Sequence, residues 1–171
     1  MTIKKENISE YIIQLYRKED LVRAFEFDLE KIGSHMINHL PISNIEKLSE
    51  VNYYEDLIQK MQDQGIEKEG HLQEAKQLVN ALETLSNDLI MSDSQYAEIY
   101  EDAKAAINEN IELSGGVITS EIQICLNGIY GFLLLRLNGK KLEENDQNKI
   151  EKFGNILSYL SMKYQERFES N

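Results

Sequence analysis

The spacing of apolar residues constrains the fold of this chain more than any other feature of its sequence. Apolar side chains recur at steps of three and four almost throughout, as at Ile8, Ile12 and Leu15. The most regular series stands near the end, at Ile150, Phe153, Leu157, Leu160 and Tyr164. These steps follow the period of an α-helix, and the alternation typical of a strand does not recur. The pattern therefore predicts an all-α fold.

Capping signals divide this pattern into about six to seven helices. Asn7 is suited to cap the first helix, and Asp28 a shorter second helix that stops before Pro41. Ser43 with Glu46 three residues later fits a capping box. Further breaks are predicted at Gly65, Asp93, Gly115, Gly116 and Gly139. Because no linker or repeat separates the segments, we expect a single antiparallel helical bundle and one domain over residues 1–171.

One helix, near residues 120–138, is predicted to be the centre of the bundle. Eleven of the 17 residues from Glu121 to Leu137 are apolar and are spread around the whole circumference, which is typical of a helix buried on all sides. Its uncharged stretch, Ile122 to Leu135, has only 14 residues. A transmembrane helix needs about 20, so we expect no membrane span.

Charge is distributed unevenly along the chain. The net charge is −12, yet residues 24–114 alone carry 19 acids and six bases. So acidic a segment argues against nucleic acid and anionic membranes as partners, because both are bound through Lys and Arg. Cys125 is the single cysteine, which excludes an intramolecular disulfide. We therefore expect a cytoplasmic protein.

Four polar residues stand at positions where a helical pattern expects core or core-edge residues. Glu19 and Arg23 continue the stripe of the first helix, one turn apart, and Arg136 lies in the most apolar helix. Arg136 must either extend past the helix end or meet a buried acid. His71 stands at the start of the fourth helix, which is predicted to begin near Gly70, and there the helix dipole favours neutral imidazole. Two interpretations stay open: structural ion pairs between helices, or a pocket for a small anion or nucleotide-like ligand.

Signals for metal binding or catalysis are weak. His35 and His39 would share a face of the short second helix, but the Glu of an H-E-x-x-H site is absent and no acid stands three residues before any histidine. Cys125 has the apolar neighbours of an inert core thiol. We therefore predict no catalytic residue, no metal ligand and no cofactor. Two acidic clusters leave a magnesium-dependent alternative open: Glu98, Glu101 and Asp102, and Glu143, Glu144 and Asp146.

Three stretches of the chain carry a likeness to a known family. They read ENISEYIIQLYRKEDLVRA, YYEDLIQKMQDQGIEKEGHLQ and SEIQICLNGIYGFLLLRLNGKKL. In collinear order they resemble a family of bacterial helical proteins, found mainly in Bacteroidetes, that is defined as domain of unknown function 4924. The resemblance implies a small all-helical cytoplasmic protein and assigns no activity. The chain departs from the family's pattern at Tyr16, where Trp is expected, and at Ser86, where His is expected.

The function that these observations favour is a non-enzymatic helical bundle acting through protein contact, as a homo-oligomer or with another protein. Its support is the scarcity of catalytic signals and an excess of tyrosines, a residue enriched at interfaces. The alternative is a bundle that binds a small ligand or hydrolyses nucleotides with a metal. Its polar pocket would be formed by Glu19, Arg23, His71 and Arg136.

Overall fold

Seven α-helices and one short 3-10 helix form the secondary structure of the computed structural model, which describes residues 7–169 and their side chains as far as residue 167. This described part contains no β-strand. The helices are α1 Ile8–Ala24, α2 Leu29–His35, the 3-10 helix Ile37–His39, α3 Asn44–Asp63, α4 Gln73–Ser92, α5 Ser94–Leu113, α6 Glu121–Leu137 and α7 Glu144–Glu169. The all-α prediction and the predicted number of helices are confirmed.

Local sequence signals set most of the helix ends. The Asn7 side chain accepts a hydrogen bond from the Glu10 amide, and Asp93 caps α5 in the same way. Ser43 and Glu46 form the predicted capping box at the start of α3. Gly65 ends α3 with a φ of 64°, a left-handed conformation that glycine adopts without steric cost. These ends were predictable because each depends on residues adjacent in sequence.

The region around the first two histidines differs from its prediction. The helix α2 ends at His35, and Met36 then adopts a non-helical conformation before the 3-10 helix that contains His39. The expectation that His35 and His39 share one helical face is therefore wrong. A 3-10 helix has three residues per turn, so the two elements do not keep one i,i+4 register.

The described residues form two compact units, and the boundaries fall within α1 and α4. The smaller unit is Gln14–Lys76, and the larger comprises residues 7–13 and 77–169. The core of the smaller unit consists of Val22, Ile32, Ile37, Tyr54, Leu57, Met61, Ile66 and Leu72. The single domain over residues 1–171 stays a prediction.

In the larger unit the helices α5, α6 and α7 pack against one another. Gly128 of α6 allows a close approach of α7: a Cβ atom there would lie 2.6 Å from Cδ2 of Phe153. The beginning of α6 is buried as predicted, with Ile122, Cys125 and Leu126 at 0 to 2% exposure.

The end of α6 corrects the prediction that this helix is buried on all sides. Leu133, Leu134, Leu135 and Leu137 are exposed, and Leu137 keeps 71% of its surface accessible. Neighbouring helices of the described chain cover only the first turns of α6, although its apolar residues continue to its end.

Candidate functional site

Three of the four predicted site residues meet in the smaller unit. Glu19 and Arg23 lie one turn apart on α1, and His71 lies in the loop between α3 and α4, two residues before α4 begins at Gln73. Glu19 is fully buried, and the side chains of Arg23 and His71 are 17% and 30% exposed. The side chains of Arg23 and His71 are therefore mostly buried as well.

The Glu19 carboxylate contacts the two residues that precede α4. The Leu72 amide donates to Oε1 over 2.9 Å, and Nδ1 of His71 lies 2.7 Å from Oε2. The first amides of a helix have no partner inside the helix, and the helix dipole favours negative charge there. Glu19 thus caps α4 from a distant position in the sequence.

The His71 imidazole is held on two sides. Its ring stacks on the Tyr16 ring with centroids 3.7 Å apart and an interplanar angle of 22°. With Nδ1 engaged by Glu19, the other ring nitrogen, Nε2, can accept or donate a proton or bind a ligand. Carboxylate-oriented imidazoles of this kind serve as bases and as metal ligands in other proteins.

Arg23 holds the loop between α3 and α4. Its Nη2 atom donates to the carbonyl oxygens of Ile66, over 3.1 Å, and Gly70, over 2.5 Å, while Nη1 donates to Asp20 over 2.9 Å. The Nε atom is buried and has no hydrogen-bond partner among the described residues. Arg23 forms its ion pair with Asp20, three residues earlier. Most polar atoms of Glu19, Arg23 and His71 are thus used to hold residues 66–72 in place.

Arg136 belongs to the larger unit and is exposed at the end of α6. Its guanidinium lies 6.0 Å from the centre of the Phe132 ring. Of the two outcomes predicted for Arg136, pairing with a buried acid is not observed, because the side chain is exposed and its guanidinium lies by Phe132, one turn earlier in α6. There it lines an open pocket of about 420 Å³ together with Lys140 and Lys141.

Sequence reasoning missed Tyr16, Lys140 and Lys141. Tyr16 stands three residues before Glu19 on the same stripe, so its position already placed it beside the carboxylate. The two lysines follow Gly139, whose φ of 69° reverses the chain after α6. The spacing of Arg136, Gly139 and the lysine pair was the available signal.

The other side chains that could take part in catalysis or metal binding have structural surroundings that argue against such a role. Burial, then the charges of Glu121 and Glu83, raise the pKa of the Cys125 thiol well above its usual range. Glu101 and Asp102 form ion pairs with Lys104 and Lys152. Within residues 7–169 no group of three or more His, Cys, Asp or Glu side chains could hold a metal ion.

None of the helices in the described chain combines the length and hydropathy that a membrane span requires. Comparison with curated proteins and with solved structures finds no match. Comparison with family models finds one that matches residues 1–171, the whole chain. The chain therefore belongs to the family described as Domain of unknown function (DUF4924).

Proposed function

We propose that this protein acts through protein contact and that its partner is a second copy of itself, bound through exposed leucines of α6. The observation that carries the proposal is the exposure of Leu133, Leu134 and Leu137, at 37%, 39% and 71%. At about 100° per residue these three side chains share an arc of about 100°, here called the leucine face. A contiguous exposed apolar surface often marks a contact site, whereas apolar residues that are exposed singly are ordinary.

The charge distribution supports a second copy as the occupant. Residues 115–171 carry seven acids and seven bases, whereas residues 24–114 carry a net charge of −13. Two copies of an acidic protein repel each other least when they meet through a neutral segment.

The part of the chain that carries the leucine face also holds charges of both signs. Bases stand at the end of α6 and just after it, at Arg136, Lys140 and Lys141, and acids stand around the start of α7, at Glu143, Glu144 and Asp146. Because these charges balance, they do not oppose a two-fold symmetric contact through the leucines.

A second exposed apolar pair provides a matched comparison. Ile45 and Leu48 on α3 are 80% and 61% exposed and stand three residues apart, as Leu134 and Leu137 do. They lie in the acidic part of the chain, where a second copy would bring like charges together. The proposal therefore assigns the contact to the α6 pair and not to the α3 pair.

Light scattering coupled to size exclusion, at micromolar concentration, tests the proposal. The wild type is expected at twice the 19.8 kDa chain mass. The variant Leu134→Glu/Leu137→Glu is expected at the single-chain mass, because association would bury two unpaired charges per copy. The control Ile45→Glu/Leu48→Glu adds the same charge and is expected to stay dimeric. Circular dichroism establishes that both variants are folded.

Two results would overturn the proposal. One is a wild-type protein that remains at the single-chain mass throughout the micromolar range. The other is a control variant that dissociates while the α6 variant does not, which would move the contact to α3.

We also propose that the protein is cytoplasmic, binds no nucleic acid and is not an enzyme. The single cysteine and the concentration of negative charge in residues 24–114 support the first two points. The use of Glu19, Arg23 and His71 to hold a loop supports the third. The alternative of a ligand-binding or nucleotide-hydrolysing pocket around these residues and Arg136 stays a prediction.

A further inference from the structure

We propose that the open pocket at the end of α6 binds a small organic anion, with a carboxylate or phosphate head and an apolar body. The pocket has a volume of about 420 Å³ and lies between the end of α6, the turn after it and the start of α7. This volume lies within the range of small-molecule sites. The inference is independent of the proposed dimer.

Backbone hydrogen bonds of the turn place two lysines on the pocket. The Gly139 amide donates to the Arg136 carbonyl and the Lys140 amide donates to the Leu135 carbonyl, which closes α6. With Gly139 in the left-handed region the chain reverses, and Lys140 and Lys141 line the pocket. On α7, Nε2 of Gln147 donates to the Leu142 carbonyl over 3.0 Å and fixes the end of the turn.

The pocket offers an apolar lining for the body of such a ligand. Phe132, Leu142 and Ile150 line it and are half-buried. The Arg136 guanidinium lies 6.0 Å from the centre of the Phe132 ring, within the range of a cation–π contact, so this cation lies beside an apolar surface.

The charged side chains that line the pocket favour an anion. Three bases line it, Arg136, Lys140 and Lys141, against one acid, Glu151. None of the three bases forms an ion pair with any residue that the structure describes, although the chain has 30 acids and 18 bases.

Neighbouring lysines behave differently. Lys149 and Lys152 of α7 form ion pairs with Glu109 and Asp102 across helices. Acids thus neutralise the lysines beside the pocket but not the bases that line it. An arginine and two lysines without acid partners form the charge pattern that a carboxylate or phosphate complements.

The two leucines that the dimer test changes, Leu134 and Leu137, stand apart from the pocket-lining residues of α6. At about 100° per residue, Leu134 stands about 160° around the helix from both Phe132 and Arg136. Leu134 and Leu137 do not line the pocket. Substitutions of Leu134 and Leu137 therefore leave the pocket lining unchanged and separate the two proposals.

Isothermal titration calorimetry of the full chain with octanoate, octyl phosphate and 1-octanol tests the inference. At least one of the two anions is expected to bind more tightly than the neutral alcohol, and comparison of the two identifies the preferred head group. Arg136→Gln is expected to weaken binding of that anion about tenfold, the loss of one charge-assisted hydrogen bond. Arg167→Gln, which changes an exposed arginine paired with Asp88, is expected to bind as wild type does.

The variant Leu134→Glu/Leu137→Glu is expected to keep its affinity for the anion whether or not the wild type is a dimer. The inference is overturned if 1-octanol binds as tightly as both anions, if Arg136→Gln binds like wild type, or if neither anion binds.

Discussion

The Nδ1 atom of His71 lies 2.7 Å from the Oε2 atom of Glu19, a carboxylate with no solvent exposure. The two residues are 52 positions apart in sequence. Together with the bond from the Leu72 amide, this contact ties the middle of α1 to the start of α4 within the smaller unit.

Glu19→Gln is expected to destabilise the protein by about 1–3 kcal/mol, the cost of leaving buried polar groups without good partners. The glutamine oxygen can still accept from Leu72, but its NH2 group cannot accept from His71, and the negative charge at the start of α4 is lost. Urea unfolding at neutral pH measures the change. Glu55→Gln, an exposed acid on α3 of the same unit, is the control. Equal midpoints for the two variants would contradict this assignment of Glu19.

Gly128→Ala and Gly131→Ala are expected to change stability in opposite directions. A Cβ atom at Gly128 would lie 2.6 and 2.8 Å from two ring carbons of Phe153, whereas nothing lies within 4 Å of one at Gly131. Overpacking at position 128 is expected to cost about 1–3 kcal/mol. At position 131 the better helix propensity of alanine is expected to add up to about 1 kcal/mol. Thermal unfolding compares the two, and the same sign for both would contradict the close packing of α6 on α7.

The variant Asp93→Asn is expected to lose less stability in acid than the wild type does. A hydrogen bond from the Tyr96 amide, then one from the Tyr159 hydroxyl, and the charge of Lys163 lower the pKa of Asp93 below 3.8. Because this pKa is lower in the folded chain than in the unfolded chain, the stabilisation is complete above the unfolded pKa. It is lost as the pH falls through the folded pKa.

Urea midpoints between about pH 5 and pH 2 measure this dependence. The wild type is expected to lose more stability over this range than Asp93→Asn. The control is Asp56→Asn on α3, an exposed residue whose change should leave the wild-type profile intact. Parallel profiles for the wild type and Asp93→Asn would contradict the prediction.

The order of the helices and most of their ends were predictable from sequence. The Ser43–Glu46 capping box and the glycine end at Gly65 involve residues within one helical turn. The Met36 break was not predictable, because no proline or glycine marks it and the short α2 contributes little stability of its own. Polar residues on apolar stripes identified Glu19 and Arg23 as unusual, but spacing could not identify the Leu72 amide or the Ile66 carbonyl as their partners.

The sequence by itself determined the all-α architecture, because helical period and capping are local properties. It also determined where the negative charge is concentrated. Only the tertiary structure decided that Glu19 meets His71 and that Arg136 lies with Lys140 and Lys141 around a pocket. Tertiary packing also left the end of α6 exposed. Apolar residues indicate that a helix can be buried. Burial itself requires neighbouring helices that are long enough to cover the helix, and their arrangement depends on contacts between residues distant in sequence.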